Sequence, residues 1–360
     1  MIAFWYITKL YLKYFIIILS ALTFFMVGFD YLSNSDKLTH SANLTLLYLL
    51  YKLLFAIDMM LPLSLIFAMI STKIHLINSN ALVAFYSLGL SKIDILRPFV
   101  VVSVSITLVY IALHATPFAK ADEYSNNIRS SASILKPTSK LFFTYQEYYI
   151  YFGKLYPLQD RAEDIRIFKF KNDSLTEVLV SDEAYYRDDS WHISRASLLH
   201  KPEILALDAE GIVFTNESSL RMLDGFKPTI LDQVYEGKVN YTIVDALEAL
   251  RLLSRENINV DKIKSALYRI FASPFFVPSL IVIMFFMVPI SSRFLNVTLF
   301  SFAAIVLTIV VWSILFVLTE LSNNKTISSE IGILLPAFIL VSIALYEWYK
   351  ERYKQKKVKT

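Results

Sequence analysis

Hydrophobic positions along this chain gather into two groups of three long apolar stretches, one group on each side of a polar block at residues 119–262. A helix needs about 20 predominantly apolar residues to cross the hydrocarbon core of a bilayer, and each stretch meets or nearly meets that length. The pattern therefore predicts six membrane-spanning helices and one large polar insertion. The predicted spans are Tyr14–Leu32, Leu53–Ile70, Ile95–Ala115, Phe271–Ile290, Val297–Leu318 and Ile331–Tyr349.

Composition supports the bilayer as the solvent of this chain. Hydrophobic residues make up 56% of the sequence and the mean hydropathy is +0.50, which is well above that of an ordinary soluble domain. Lys9 and Lys13 precede an apolar run that is too long for a signal peptide and lacks a small-residue cleavage site. We therefore expect the first helix to stay attached. The chain contains no cysteine, so disulfides are excluded.

Charge is divided between the polar block and the remainder. Residues 119–262 hold 18 Lys and Arg against 23 Asp and Glu, whereas the other residues hold 17 against 8. The basic excess thus flanks the spans and does not indicate nucleic-acid binding. Because basic residues prefer cytoplasmic flanks, their distribution predicts that both termini are cytoplasmic and that the polar block is extracytoplasmic. The predicted cytoplasmic cations are Lys9, Lys13, Lys73, Lys92, Arg97, Arg293, Lys350, Arg352, Lys354, Lys356, Lys357 and Lys359, and those near the opposite surface are Lys37, Lys52, Lys264, Arg269 and Lys325.

The connection between the second and third spans is predicted to contain a short apolar helix. Residues 80–88 read Asn-Ala-Leu-Val-Ala-Phe-Tyr-Ser-Leu, and Gly89 suits the position just past a helix C-terminus. Ser91 and Asp94 then have the spacing of a capping box that opens the third span. The residues alone are equally consistent with a plain loop helix that rests on lipid headgroups.

The polar block changes from a charged segment at Phe118–Arg129 to short runs rich in Tyr, Phe, Ile and Val. Short strands without intervening helices predict a β-sandwich or an open barrel, with turns at Asn172–Ser174 and Asp188–Ser190. After Tyr241 the apolar residues recur at three- and four-residue spacing, which predicts an amphipathic helix that returns the chain to the membrane. The predicted strands are Leu141–Phe152, Asp164–Phe170, Leu175–Tyr186, Ser190–Leu199 and Ile204–Phe214.

Sequence motifs for catalysis are absent. There is no G-x-x-x-x-G-K-[ST] phosphate loop, so any ATPase has to be a separate subunit, and there is no G-x-S-x-G nucleophile elbow. The five histidines are scattered without the spacing of a metal site. We therefore predict neither enzyme activity nor a bound metal. Asp30, Asp58 and Glu320 lie near the outer ends of spans and are interpreted as carboxylates that reach interfacial water, with a functional role as the alternative.

Several segments, together with the order of the parts, resemble a known family. These segments are Ala81–Lys92, Tyr148–Phe152, Ile165–Phe170 and the strand that contains Trp191. With three spans, a β-rich domain, a return helix and three further spans, the chain resembles the LptF/LptG lipopolysaccharide export permeases over essentially its whole length. The strands and the C-terminal region are closer to LptG than to LptF. The resemblance implies an α-helical transmembrane bundle of six spans with an inserted extracytoplasmic all-β, jellyroll-like domain.

The resemblance also implies a division of the chain and a location. The expected location is the cell inner membrane, with the β domain in the periplasm. The implied parts are residues 1–118 with spans one to three and a cytoplasmic coupling helix at about 79–90, residues 119–241 with the β domain, residues 242–268 with the amphipathic return helix, residues 269–349 with spans four to six, and a basic tail at 350–360.

By resemblance, the chain is one permease of a heterodimer that moves lipopolysaccharide. A second permease of the same family is the expected membrane partner, and a dimeric cytoplasmic ATPase is expected to dock on the coupling helices. ATP-driven closure is expected to extract lipopolysaccharide from the outer leaflet and to pass it through the β domain to a periplasmic bridge protein. The chain itself is expected to bind no cofactor, because ATP and Mg are used by the partner ATPase.

The resemblance further implies three sets of site residues. The expected ATPase-coupling residues are Ala81, Leu82, Val83, Ala84, Phe85, Leu88, Gly89 and Leu90. The expected contacts to lipid phosphates are Lys37, Lys52, Arg269 and Lys325. The expected lipid path in the β domain is marked by Tyr149, Tyr151, Ile165 and Ile167.

The sequence departs from the family pattern at two places. Ala81 stands where the family usually has a Glu at the start of the coupling helix, and residues 26–30 lack the lysines that the family carries along the outer part of its first span. Two alternative functions stay open. One is a membrane-anchored envelope scaffold whose β domain binds protein partners. The other is a different ABC-type lipid or lipoprotein export permease, although such permeases usually have four spans.

Overall fold

The computed structural model describes the chain in two compact units, and each is considered by itself. Met1–Ser125 together with Ser265–Thr360 form a helical unit, and Asn126–Lys264 form a second unit that contains a β-sheet. The described residues are all those of the chain other than residues 1, 39–40, 132–136, 146–147, 158, 172–173, 202–210, 229–230, 232–239, 254–260, 288–295 and 360.

Six helices of the described chain are long and apolar enough to cross a membrane: Ile2–Lys37, Ala42–Asn78, Lys92–Leu113, Asp261–Met287, Thr298–Asn323 and Glu330–Lys354. Together with the sheet, they confirm the predicted bundle of six spans with an inserted β domain. The α-helices are α1 (Ile2–Asn34), α2 (Ala42–Asn78), α3 (Ala81–Ser87), α4 (Lys92–Leu113), α5 (Ala121–Ser131), α6 (Ile243–Leu253), α7 (Asp261–Phe271), α8 (Phe276–Met287), α9 (Val297–Asn323) and α10 (Leu335–Lys359).

Several helices extend beyond the apolar windows that identified them. α1 begins at Ile2, well before the predicted start at Tyr14, because helical hydrogen bonding continues through residues that hydropathy alone does not select. The predicted return helix is represented by α6 and α7, and residues 254–260 between them lie outside the described part. The predicted end of the fourth span at Ile290 also lies outside it. The charged segment before the β domain contains α5 and a short 3₁₀ helix at Pro117–Lys120.

The core of the helical unit is formed by close packing between α1, α2, α4 and α8. The Tyr11 hydroxyl donates a hydrogen bond to the Leu65 carbonyl at 3.0 Å, and the Tyr11 ring lies 5.1 Å from the ring of Phe99. The Phe99 ring in turn lies 5.9 Å from that of Phe285. In a bilayer the helices gain little from leaving apolar solvent, so close packing and such hydrogen bonds stabilise the bundle.

The connection from α2 to α4 has the local structure that the sequence predicts. After α3, the Gly89 amide donates to the Tyr86 carbonyl at 2.9 Å and the Leu90 amide donates to the Phe85 carbonyl at 3.1 Å, which is a Schellman motif. A capping box follows at the start of α4, since the Ser91 side chain accepts from the Asp94 amide and the Asp94 carboxylate accepts from the Ser91 amide. α3 is thus closed at its end and joined to α4 by a defined turn.

Gly89→Ala is expected to destabilise this connection. Gly89 has φ +83°, a conformation that costs an L-residue about 1 kcal/mol, although a Cβ there would meet no atom within 4 Å. The effect should therefore come from backbone strain alone. Hydrogen exchange of the Leu90 amide measures it, and we expect about fivefold faster exchange in the variant. Gly28→Ala, in a helix and also without a neighbour within 4 Å, is the control that should leave this amide unchanged.

The β unit contains one six-stranded antiparallel sheet in which neighbouring strands follow chain order. Among the described strands the topology is a meander, without a Greek-key crossing. Asp188 (φ 49°) and Asp189 (φ 61°) form the two-residue turn between the fourth and fifth strands, where two left-handed residues match the twist of the hairpin. The strands are β1 (Thr138–Tyr145), β2 (Tyr148–Tyr156), β3 (Arg161–Lys171), β4 (Ser174–Arg187), β5 (Ser190–His200) and β6 (Val213–Met222).

One of the five predicted strands differs from the structure, and another falls largely outside the described residues. The run Leu141–Phe152 was predicted as one strand, but it contributes to both β1 and β2, which pair with each other in antiparallel fashion. The last predicted strand, Ile204–Phe214, falls largely on residues 204–210, outside the described part, and β6 begins only at Val213. The predicted turn at Asn172–Ser174 also falls partly outside it.

One face of the sheet forms the core of the β unit. Ile150 and Phe152 of β2 pair with Ile167 and Ile165 of β3, and all four side chains are buried. The Phe152 ring lies 5.0 Å from that of Trp191, whose indole nitrogen donates to the Phe226 carbonyl at 2.8 Å. The buried indole therefore has the hydrogen-bond partner that its polar nitrogen requires.

Within this unit, a salt bridge connects the segment after β6 to α6. The Lys227 ammonium donates a hydrogen bond to the Glu248 carboxylate at 2.6 Å. This hydrogen bond and the negative charge of Glu248 raise the pKa of Lys227, so the ammonium stays charged over the neutral range.

Candidate functional site

The predicted coupling helix presents one buried side chain and an exposed apolar edge. Leu82 is fully buried, whereas 78% of Leu88 and 40% of Val83 are exposed. The residues of intermediate exposure are Ala81, Phe85 and Leu90, and those that are exposed with Val83 and Leu88 are Ala84 and Gly89. α3 is therefore anchored through Leu82 and leaves its other side open to a partner or to the membrane surface.

Other helices hold α3 in place through contacts that are distant in sequence. The ring of Tyr6, in α1, lies 6.2 Å edge-on from the ring of Phe85. Lys92, the first residue of α4, forms a 3.1 Å salt bridge with Glu351 of α10. Burial and the nearby Glu351 carboxylate raise the pKa of the Tyr86 phenol. The segment from α3 to the start of α4 therefore contacts both α1 and α10.

The four predicted phosphate-binding cations occupy three different environments. Lys37, at the end of α1, and Lys325, in the turn after α9, are exposed. Lys52 is buried and lies 3.3 Å from Asp30 and 3.7 Å from Asp122. The Tyr48 hydroxyl also hydrogen-bonds Asp30. Lys52 is thus enclosed by two carboxylates, which leaves only Lys37 and Lys325 as exposed cations of this set.

Arg269, the fourth of these cations, lines a cavity of about 150 Å³ in the helical unit. Asp58, His114 and Glu320 line the same cavity. The Asp58 Oδ1 atom lies 3.3 Å from His114 Nε2, and His114 Nδ1 lies 3.0 Å from the Tyr110 carbonyl oxygen. The cavity therefore brings together acidic and basic side chains from α2, α7, α9 and the residue that follows α4, and Tyr110 of α4 also lines it.

The intramembrane carboxylates have closer partners than the interfacial interpretation required. Asp30 is paired with Lys52, and Asp58 with His114. Glu320 lines the cavity and accepts a weak hydrogen bond from Asn323 at 3.4 Å. Hydropathy predicts that each carboxylate lies near the end of a span. It does not identify the residue that each carboxylate contacts, which lies on another helix or beyond the predicted span. A single sequence contains no signal for such pairs.

Lys73 is a further buried cation that sequence reasoning assigned to the cytoplasmic flank. Only 3% of this residue is exposed. Its ammonium donates to the Phe285 carbonyl and lies 3.8 Å from the centre of the Phe285 ring. The buried ammonium of Lys73 thus has a carbonyl acceptor and a cation–π contact, both supplied by Phe285 of α8.

The predicted lipid path in the β domain is divided between the two faces of the sheet. Ile165 and Ile167 are buried on the core face, whereas Tyr149 and Tyr151 are on the opposite face, opposite Phe168 and Arg166 of β3. Tyr149 is exposed and its ring lies 5.0 Å from that of Phe170. A lipid chain that follows one face therefore contacts one pair of these residues and not the other.

Comparison with known proteins assigns these features to one family. A sequence model of the family described as lipopolysaccharide export system permease LptF/LptG matches residues 5–350 of the 360-residue chain. The match includes α3, the β unit, four complete candidate spans and most of the first and last. A search of curated proteins finds no match.

Proposed function

We propose that this chain, which belongs to the LptF/LptG family of lipopolysaccharide export permeases, is the permease subunit of an ATP-driven exporter that extracts lipopolysaccharide from the inner membrane. As a member of this family it is a multi-pass inner-membrane permease and not itself an enzyme. The proposed cycle requires a second permease of the family in the membrane, a dimeric cytoplasmic ATPase and a periplasmic bridge protein that receives the lipid.

The proposed orientation follows from the positions of the basic residues. With both termini in the cytoplasm, α3 and the basic end of α10 face the cytoplasm, and the β unit is in the periplasm. Lys9 and Lys13 flank α1 on the same side. This orientation places the exposed edge of α3 where a cytoplasmic ATPase can reach it.

The observation that carries the proposal is the exposed apolar edge of α3. An exposed leucine and valine on a short, capped helix between two spans supply a small apolar contact surface. The salt bridge from Lys92 to Glu351 and the contact of Tyr6 with Phe85 connect this surface to three membrane helices. An ATPase bound at α3 would thus move the bundle, and in the proposed cycle this movement closes the lipid cavity.

The second permease is proposed to pack against α1 and α9. Both helices present large apolar side chains outward, such as Phe24, Phe25 and Phe302. A single chain offers these faces to lipid, and a heterodimer places them around a shared, apolar cavity. Such a cavity suits the acyl chains of a glycolipid, because apolar surface is favourably removed from water there.

Lys37 and Lys325 are proposed to contact the lipid phosphates. Both are exposed and follow the ends of α1 and α9, the two helices that are proposed to border the cavity. We expect the Lys37→Glu, Lys325→Glu double variant to lower export about five- to tenfold, because two charge-assisted contacts become repulsive while screening by water limits the effect. Lipopolysaccharide release from proteoliposomes measures this change.

Lys9→Glu is the matched control, since Lys9 is exposed near the other end of α1 and Lys13 keeps a basic flank. The control should export normally. Equal export by the double variant and the wild type would exclude Lys37 and Lys325 as phosphate contacts.

Site-specific photocrosslinking in living cells tests the whole proposal. A photoreactive residue is placed in turn at positions 149, 150, 151 and 152 of β2, which alternate between the two faces of the sheet. An exporter should give ATP-dependent lipopolysaccharide adducts at one alternating set, and the reactive set identifies the face that the lipid follows. Protein adducts alone at all four positions would contradict the proposal and favour the scaffold function.

A further inference from the structure

The cavity that Asp58 and Arg269 line lies beside two irregular places in the helical backbone. Pro62 is inside α2 and has no amide hydrogen, so the Asp58 carbonyl lacks its usual helical donor. On the facing side, a 3₁₀ segment at Ser273–Phe275 separates α7 from α8. Within a bilayer, backbone groups without a helical partner are tolerated where they are buried in protein or line a water-filled cavity, so these two places are consistent with a polar space.

The cavity contains acidic and basic side chains together. Asp58 and Glu320 supply two carboxylates, and Arg269 and His114 supply a guanidinium and an imidazole. The Asp58 Oδ1 atom is buried and forms no hydrogen bond, although it lies 3.3 Å from His114 Nε2. Ionisable groups in or next to membrane helices are rare and mark functional sites, so several around one space indicate a role beyond packing.

The polar groups of the cavity lie near the ends of candidate membrane spans. His114 directly follows the last residue of α4, Glu320 is in the last turn of α9, and Arg269 lies just before Phe271, the predicted start of the fourth span. Farther from the end of α9, Trp312 and Leu315 form an apolar part of the wall. The cavity thus has polar groups at the level where spans end and apolar groups deeper, which is the order of an amphiphilic lipid.

We infer that this cavity binds the headgroup of a bilayer phospholipid that carries both a phosphate and a primary ammonium. The volume of about 150 Å³ provides space for about ten water-sized groups, which is sufficient for such a headgroup. The guanidinium of Arg269 suits a phosphate, and the carboxylates of Asp58 and Glu320 suit an ammonium with three N–H donors. A headgroup that carries only a phosphate would be repelled by the two carboxylates. A headgroup that carries only an ammonium would be repelled by the guanidinium.

Native mass spectrometry of the purified chain tests this inference without ATPase or lipopolysaccharide, so its result is independent of the proposed export function. The protein is mixed with equal amounts of phosphatidylethanolamine, phosphatidylglycerol and phosphatidylcholine. We expect one phosphatidylethanolamine to be retained about tenfold more than either of the others, because a hydrogen bond to a charged group contributes about one factor of ten. Equal retention of the three lipids by the wild type would overturn the inference.

Two variants connect the preference to the cavity. Asp58→Asn, Glu320→Gln removes both negative charges with little change in size, and should abolish the preference for phosphatidylethanolamine over phosphatidylglycerol. Glu320→Gln alone, which preserves the Asp58–His114 pair, should reduce the preference if the double variant does not fold. Asn324→Gln, at an exposed position just after α9, is the control that should retain it.

A competition experiment separates the phospholipid from the cargo. Lipopolysaccharide is added to wild-type protein that retains phosphatidylethanolamine, and the bound phospholipid should stay in place. Displacement at equimolar lipopolysaccharide would show that the cavity receives the cargo and would overturn the assignment to a phospholipid. A retained preference in both carboxylate variants would overturn it as well, because the ammonium would then be bound elsewhere.

Discussion

Leu88→Glu is expected to abolish co-purification of the chain with the proposed cytoplasmic ATPase while leaving the fold intact. Leu88 is 78% exposed, so a carboxylate at this position remains hydrated in the isolated permease and should cost little stability. In the complex the same carboxylate would be buried without a partner, which costs about 3 kcal/mol or more. Affinity should therefore fall at least about a hundredfold.

Three control variants distinguish this loss of docking from other effects. Leu88→Met conserves volume and should bind the ATPase normally. Asn324→Glu adds the same charge at an exposed position after α9 and should also bind normally. Leu82→Glu buries a charge in the isolated chain, since Leu82 is fully buried, and should fail to accumulate as folded protein. Unchanged co-purification of Leu88→Glu would show that α3 is not the docking element.

The connection from α3 to α4 could be predicted because its sequence signals are local. Gly89 at a helix end and the pair Ser91 and Asp94 at a helix start each specify a hydrogen-bonding pattern among residues a few positions apart. The structure forms both patterns. The exposure of Leu88 could not be read in the same way, because it depends on which faces of α3 the surrounding helices cover.

Strand boundaries were predicted less well for a related reason. Residues 141–152 form a continuous aromatic and apolar run, and positions 146–147 are Gln and Glu, without the Gly, Pro, Asn or Asp that marks a tight turn. The run was therefore interpreted as one strand. The antiparallel pairing of β1 with β2 in the structure depends on register with the rest of the sheet, which composition does not specify. By contrast, Asp188 and Asp189 marked their turn correctly because both tolerate positive φ.

The polar contacts within the membrane lay beyond what one sequence can predict. Lys92 and Glu351 are far apart in the sequence. Asp58 is in α2, whereas His114 follows α4. Hydropathy identifies charged residues near span ends but not their partners, because the partner is determined by how helices pack. The same limit explains why Lys52 was predicted as a lipid contact, although two carboxylates enclose it.

Lys52→Met is expected to destabilise the helical unit by about 3 kcal/mol. Lys52 is 6% exposed, and its ammonium lies between Asp30 of α1 and Asp122 of α5. Removal of one partner from a buried ionic cluster leaves uncompensated charge, which commonly costs 3–5 kcal/mol. The lower end applies because the Asp122 side chain is 29% exposed and can be partly hydrated. Thermal unfolding in detergent should show a lower midpoint, and Lys37→Met, at an exposed lysine, should not.

Restoring charge balance separates the electrostatic cost from lost packing. In the triple variant Lys52→Met, Asp30→Asn, Asp122→Asn no uncompensated charge remains, so most of the lost stability should return. If recovery is incomplete, the stability still missing is the contribution of two contacts. These are the contact between the Lys52 ammonium and the Phe55 ring, which are 4.8 Å apart, and the hydrogen bond from Tyr48 to Asp30. No recovery would mean that Lys52 stabilises the unit by packing alone. Because Asp30 and Asp122 are on different helices, recovery would also show that this ionic cluster joins the first span to the helix that precedes the β domain.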